Sequence, residues 1–281
     1  MTTPFELPST PSAPAPVAFI SHGAPTFALE PGALGPQLQA LGRQLQGLNA
    51  VLVVSPHWQT PGIKVMVTPQ PQTVHDFGGF PAELYTLDYP ATGNVDAARA
   101  TADRLSEAGW PVSLDERRGL DHGAWVPLWH LLGAGKVPVF QVSMPLSLTP
   151  AQAVELGRVL APLRQQGIMI LASGSMTHNL YEFRQFSSQP QPYVQEFAFW
   201  VRQALTQGAV EPLIDYRRLA PHAERAHPTE EHFLPLLVAL GARLPSDAMA
   251  YMAGGITHGV ISMDSFVWQT ASDDAASGAS T

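Results

Sequence analysis

The sequence predicts a single α/β domain: a largely parallel or mixed central sheet flanked by helices, with a metal site at the carboxyl ends of its strands. Three observations predict it. Four short runs, Val17–Ile20, Ala50–Val54, Val137–Val142 and Ile168–Ala172, are β-branched or apolar throughout, as expected of strands covered on both faces. Segments with helix punctuation separate and follow those runs, the alternation that builds a parallel sheet. The 281 residues contain no internal repeat, charge run or interior linker, so one domain accommodates them.

Each element carries its own signal. Residues 1–16 are rich in Pro, Ser and Thr and read as a flexible arm, and 269–281 are small and polar and read as a tail. A helix over Leu34–Gln46 follows the first strand. Asn94–Ala108 opens on an Asn cap and stops before Gly109. Thr149–Gln166 opens with Thr-Pro and closes at Gly167, the asymmetry of Pro at a helix start and Gly at its end. Tyr193–Gln207 and Thr229–Leu240 are further helices, and Val260–Trp268 adds a late strand.

Composition excludes several function classes. Lys and Arg number 15 against 23 Asp and Glu, a net charge of −8 with no basic run, which argues against nucleic acid and anionic membrane surfaces as partners. No cysteine is present, which removes disulfides, thiolate metal sites, iron–sulfur clusters and a cysteine nucleophile. No apolar stretch is long enough to span a membrane, and the N-terminus lacks the pattern of a secretory signal, so a cytoplasmic protein is expected. There is no G-x-G-x-x-G after a strand, no phosphate-binding G-x-x-x-x-G-K-[ST] and no G-x-S-x-G elbow. Metal chemistry, if present, must use Asp, Glu or the ten His.

Ligands of open α/β sheets bind outside the carboxyl ends of the strands. Val17–Ile20 runs into Ser21–His22, Ala50–Val54 into Ser55-Pro56-His57, and Ile168–Ala172 into a segment ending at His178. Each His alone reads equally as a core or loop histidine. Three at one topological position can converge, and neutral imidazole is a good ligand for borderline metals. In His227-Pro228-Thr229-Glu230-Glu231-His232, Thr229 caps the following helix and His232 falls in its first turn. Glu230 and Glu231 serve there either the helix dipole or the site. His227 reads as an extended loop residue. His122 follows Asp121 in a turn that Asp121 stabilises, or it is a polar group aimed at a substrate. His75 and Phe77 lie in a Gly- and aromatic-rich loop, which is either a surface turn or a wall for a planar ligand. His130, His222 and His258 read as structural.

Taken together, SHGAP at 21–25, SPHW at 55–58, HDFGGFP at 75–81, DHGAW at 121–125, SGSMTHNL at 173–180 and HPTEEHFLPL at 227–236 resemble the class III, LigB-type extradiol ring-cleaving dioxygenases, in the DOPA-dioxygenase branch. The resemblance runs from about residue 17 to 268. It implies one domain over that span and one mononuclear metal site. His22, His57 and His232 stand at its ligand positions. His178 matches a further active-site His, described as an added ligand or as the acid/base, and His122 matches a substrate-side His. Glu230 departs from the family, whose members often carry Pro there. The wider superfamily uses two His and a carboxylate, which makes Glu231 the rival third ligand.

The implied reaction is O₂-dependent cleavage of a catechol by a mononuclear non-heme Fe(II) site. Three ligands on one face keep positions open, and Zn²⁺ is expected in purified or crystallised protein because it outcompetes Fe(II) for such donors. His178 would take a proton from the catechol, His122 would hydrogen-bond it, and His75 with Phe77 would wall the ring. The alternatives are a zinc hydrolase with the same histidines and a metal-free binding protein of the same fold.

Overall fold

A computed structural model describes residues 13–183 and 189–270. The elements run β1 (Val17–Ser21), α1 (Leu34–Gln44), β2 (Ala50–Thr60), β3 (Ile63–Met66), α2 (Val95–Glu107), β4 (Val112–Asp115), α3 (His122–Leu132), β5 (Val139–Pro145), α4 (Pro150–Leu160) and β6 (Ile168–Gly174). There follow α5 (Pro192–Thr206), the single turns α6 (Glu211–Ile214), α7 (Tyr216–Leu219) and α8 (Ala223–Ala226), and then α9 (Leu234–Ala242). The chain ends with β7 (Asp247–Met252), the short hairpin β8 (Ile256–Thr257) and β9 (Ile261–Ser262), and β10 (Ser265–Thr270).

Eight strands form one mixed sheet in the order β4-β3-β5-β2-β6-β1-β10-β7. Its centre, β5-β2-β6-β1, is parallel throughout. Antiparallel pairings of β3 with β5, and of β10 with β1 and β7, extend it on both sides. Every residue of β1, β5 and β6 is buried, which explains why these strands are apolar or small-residue runs, interrupted at Gln141, whose amide donates to Gly119 O. Because β2, β6 and β1 are parallel neighbours, their carboxyl ends open on one edge of the sheet.

Three strands, β3, β4 and β7, carry no apolar run that announces them. β4 and β7 are the outermost strands and are partly exposed, so their sequences, VSLD and DAMAYM, need not be hydrophobic. The run expected at Val137–Val142 begins at Val139 and continues to Pro145. Val260–Trp268 divides at Met263–Asp264 into β9 and β10. The helix expected over Thr149–Gln166 has the Thr149–Gln152 capping box, but tightens to a 3-10 turn from Ala161 before left-handed Gly167.

Residues 1–12 and 271–281, most of the expected arm and tail, lie outside the described residues. Residues 13–16 are not all free: Ala15 is buried, its N–H donates to Arg164 O and its carbonyl accepts from Arg164 Nε. At the other end β10 continues to Thr270. Among the described residues no helix is long and apolar enough to cross a membrane.

α9 (LPLLVALGA) is buried along almost all its length, packed on β6 and β1 on one side and on α4 on the other. Two glycines permit the approach of the helices. A Cβ on Gly157 would overlap the carbonyl of Val238, and one on Gly241 the carbonyl of Val154. α9 therefore lies firmly under the residues that precede it, which include His232.

Arg164 ties the ends of the domain together. It is fully buried and forms a two-pronged ion pair with Asp247, at 2.6 and 2.9 Å. It also donates to the carbonyls of Ala15 and Ala242. Removing one charge leaves the other buried and uncompensated, at a cost of about 3–5 kcal/mol. Asp247→Asn is therefore expected to lose about that much stability in urea unfolding. A change below about 1 kcal/mol would show that the pair contributes little beyond its shape.

Candidate active site

Five histidines meet at the open edge of the sheet. His22 follows β1 directly, and its N–H donates to Gly174 O at the end of β6 (2.9 Å). His57 was expected past the end of its strand. It lies instead within β2, where the register against β5 slips between Val54 and Gln59 and turns the chain toward the site. Gly123 makes room for it, since a Cβ there would press on Ser55 Oγ and His57 Cδ2. His178 comes four residues after β6, and its N–H donates to Ala226 O (2.8 Å).

His232 does not sit in a first helical turn capped by Thr229. α9 begins at Leu234, and the Glu230 carbonyl accepts from the N–H groups of Phe233 and Leu234. The Thr229 hydroxyl instead donates to Glu231 Oε1 (3.0 Å), and that same oxygen accepts from His232 Nδ1 (2.9 Å). The His232 carbonyl accepts from Ser175 N–H at the end of β6 (2.9 Å), which anchors the loop to the sheet.

The rings of His22, His57 and His232 lie 5.0, 5.4 and 5.1 Å apart, centroid to centroid. By the spacing of potential ligand atoms the cluster forms two adjoining groups, His22, His57 and His122 in one and His178, Glu231 and His232 in the other. The expected ligands thus span both groups. His122 packs on His57 (4.0 Å), and His178 stacks almost parallel on His232 (3.5 Å, 9°).

The Nδ1 atoms of the three candidate ligands all face a partner: His22 toward Ser173 Oγ (2.9 Å), His57 toward Asp76 Oδ2 (3.5 Å) and His232 toward Glu231. A carboxylate beside Nδ1 places the proton there and leaves Nε2 as a lone pair. The Nε2 atoms of His22 and His57 are 3.1 Å apart, and His232 Nε2 is buried with no hydrogen-bond partner. With the proton on each Nδ1, lone pairs facing one another in a buried space repel, and a cation between them removes that repulsion. Burial, reinforced by neighbouring imidazoles, holds His22 and His232 well below the ordinary histidine range and His57 at about 4. Burial brings His178 to about 4 as well, against the pull of Glu231. Neutral imidazoles are the metal-binding form, so the donor set fits a divalent metal.

Asp121 does not cap α3 with its side chain. It is fully buried, accepting from Ser55 Oγ and Arg118 Nη2, each at 2.7 Å. Asp76 takes the capping role: its Oδ1 accepts from His122 N–H (2.8 Å) and from His122 Nδ1 (3.0 Å). Burial opposes ionisation of Asp76, but the bonds and charge of His122 bring it to about 2. His75 Nε2 is within hydrogen-bonding distance of Leu87 O (3.0 Å), and its ring borders Phe77, Tyr85 and Trp125. Phe77 stands edge-on to His122 at 5.7 Å, so the aromatic loop does border the cluster. His227 is not an exposed loop residue but fully buried at the end of α8, where it pairs with Met176 O (2.9 Å) among Phe197, Tyr216 and Phe233. His130 pairs with Phe27 O and His222 with Glu196. His258 stacks on Phe183. Asp76 and Ser173 carry no local signal in the sequence, because their partners are remote along the chain, and Asp121 pairs with both the nearby Arg118 and the remote Ser55.

Residues 17–255 match the family model described as the catalytic LigB subunit of aromatic ring-opening dioxygenase. The chain belongs to this family. It is 39% identical over 255 residues to a 4,5-DOPA dioxygenase extradiol of Escherichia coli (strain K12), covering 88% of this chain and 92% of the relative. Over 228 residues it is 39% identical to a 4,5-DOPA dioxygenase extradiol of Beta vulgaris, covering 80% and 85% of the two chains. A crystal structure of an uncharacterized Escherichia coli K12 protein superposes with a TM-score of 0.76 at 33% identity, covering 90% of this chain and 99% of that one. This LigB-family chain is a metal-dependent extradiol ring-cleaving dioxygenase, acting on an aromatic small molecule and O₂. The hydrolase and metal-free readings are not favoured.

Proposed function

We propose that this LigB-family protein cleaves a catechol with a polar side chain, of the DOPA type named in its relatives, using Fe(II) held by His22, His57 and His232. The observation that carries the ligand set is the pattern of Nδ1 contacts. Ser173, Asp76 and Glu231 each engage one ring from behind, which frees three Nε2 atoms. Bound Fe(II) supplies the one-electron chemistry that spin-forbidden O₂ requires and that Zn²⁺ lacks. Zn²⁺ competes for the same nitrogens and is the metal expected after purification.

The chain's own residues do the rest. His178, unprotonated and set against His232, accepts the proton of one catechol hydroxyl. The contact with Asp76 puts a proton on His122 Nδ1, so its Nε2 accepts a hydrogen bond from the second hydroxyl. Phe77 contributes an apolar wall beside His122, and His75 lies behind Phe77 with its Nε2 turned to the backbone. The ring bond beside the diol is broken, and both oxygen atoms of O₂ enter the semialdehyde product.

Anaerobic loading with Fe(II), followed by oxygen uptake over a panel of catechols, tests this reading. Uptake with a yellow product is expected from the Fe(II) form and none from the Zn(II) form. His57→Ala is expected to retain less than a tenth of the wild-type metal. Uptake independent of the metal loaded, or full metal content in His57→Ala, would overturn the assignment.

A further inference from the structure

We infer that Asp76 is a positioning residue that serves two histidines at once, orienting His57 as a metal ligand and His122 as the partner of the substrate. The inference deepens the reading above and rests on the roles given there to those two residues.

Asp76 belongs to the aromatic loop between β3 and α2, yet only 23% of its side chain is exposed. The carboxylate reaches inward from a surface segment and divides its two oxygens. Oδ1 takes the His122 backbone N–H at 2.8 Å and His122 Nδ1 at 3.0 Å, and Oδ2 faces His57 Nδ1 at 3.5 Å. His122 is the first residue of α3, so the backbone bond also satisfies one of the orphan N–H groups of that helix. The two imidazoles are packed at 4.0 Å. A rotation of either ring would collide with the other unless both are held.

The consequence is chemical as well as steric. An ionised carboxylate cannot donate, so His122 carries its proton on Nδ1 and presents a lone pair at Nε2. At His57 the contact is an ion-pair approach of 3.5 Å rather than a hydrogen bond, and its charge favours the proton on Nδ1 there too. One residue thus sets the tautomer of a metal ligand and of a substrate contact, and it sits one position before Phe77 in the loop that walls the ring. Partners of this kind, behind a metal-binding His, typically alter metal affinity or activity by about 10–100-fold.

Asp76→Asn separates the two histidines, because an amide oxygen in place of Oδ1 still accepts from His122 N–H and Nδ1 while the acceptor facing His57 Nδ1 is lost with the charge. Asp76→Ala loses both. Four quantities are read: the thermal midpoint, the Kd for Zn(II) by chelator competition on the apo protein, and kcat and KM of the Fe(II) form with a catechol at saturating metal. Asp76→Asn is expected to keep the thermal midpoint and weaken Zn(II) binding by about 10–100-fold, while Asp76→Ala weakens it as much and also lowers kcat/KM at saturating metal by a similar factor through His122. In a His122→Ala background the kcat/KM penalty of Asp76→Ala should vanish while its Zn(II) penalty persists through His57, a non-additivity expected only of residues that act through each other.

Zn(II) affinity of Asp76→Asn, or kcat/KM of Asp76→Ala, within about two-fold of wild type would overturn the inference. So would a kcat/KM penalty that adds in full to His122→Ala, or equal losses of thermal midpoint in Asp76→Asn and Asp76→Ala with all activity loss explained by unfolding. The underlying roles fail separately. Full activity of His122→Ala would refute its substrate contact, and unchanged Zn(II) binding by His57→Ala would refute its place as a ligand, whatever Asp76 does.

Discussion

His178→Ala is expected to lower turnover by about 10²–10⁴-fold, the contribution of a positioned proton acceptor, while metal content stays near that of the wild type. The reason lies in where the ring sits. His178 lies face to face on His232 at 3.5 Å, outside the set of three rings whose Nδ1 atoms are braced by Ser173, Asp76 and Glu231. Its backbone is held to Ala226 O, and the next residue, Asn179, donates from its side chain to Arg225 O (2.7 Å), so removal of the ring leaves the loop tied down. Burial keeps its imidazole unprotonated at neutral pH, the state that can take a proton. His178 also falls within the same group of potential ligand atoms as Glu231 and His232. Metal analysis beside kcat therefore decides the matter. Equal loss of metal and activity would make His178 a ligand. Loss of activity alone, partly restored by exogenous imidazole, would make it the proton acceptor.

The site was legible in the sequence where topology did the work. His22 and His178 follow β1 and β6, and parallel neighbours put those ends on one edge whatever the loops do. His57 reaches the cluster by a route its strand run did not suggest, since β2 runs through it and a slip in register redirects the chain. Local pattern misled at Thr229: Thr followed by two Glu imitates a helix cap, but the hydroxyl is spent on Glu231, which in turn braces His232. Asp121 misled in the same way, because the half-buried Arg118 and the buried Ser55 compete successfully for its carboxylate. Asp76 was invisible because its partner His122 is 46 positions away and nothing near either residue announces the pairing. In the fold, fully buried strands declared themselves by composition, whereas β4 and β7, at the outer edges, pair through backbone and show little side-chain signature.

A catechol and its matching monophenol are expected to differ by about 10⁴–10⁵-fold in kcat/KM, the discrimination available to a site built around a hydroxyl that the analogue lacks. The aromatic loop cannot supply this difference, because Phe77 and its neighbours meet both rings alike, and one added hydroxyl changes apolar burial little. The difference must come from the polar end. His122 rests on His57 and His178 on His232, so the two imidazoles address the site from different members of the ligand cluster. Two neighbouring hydroxyls satisfy both. A monophenol satisfies one and leaves a buried imidazole without its partner, and a buried polar group left unpaired costs more than the bond it would have made. Oxygen consumption by the Fe(II) form, measured with a catechol and with the monophenol that differs from it by one hydroxyl, tests the point. Comparable rates would mean that recognition does not use the diol, and the roles given to both His122 and His178 would fail together. A large gap that shrinks in His122→Ala, through a slower catechol reaction rather than a faster monophenol one, would tie the selectivity to that imidazole.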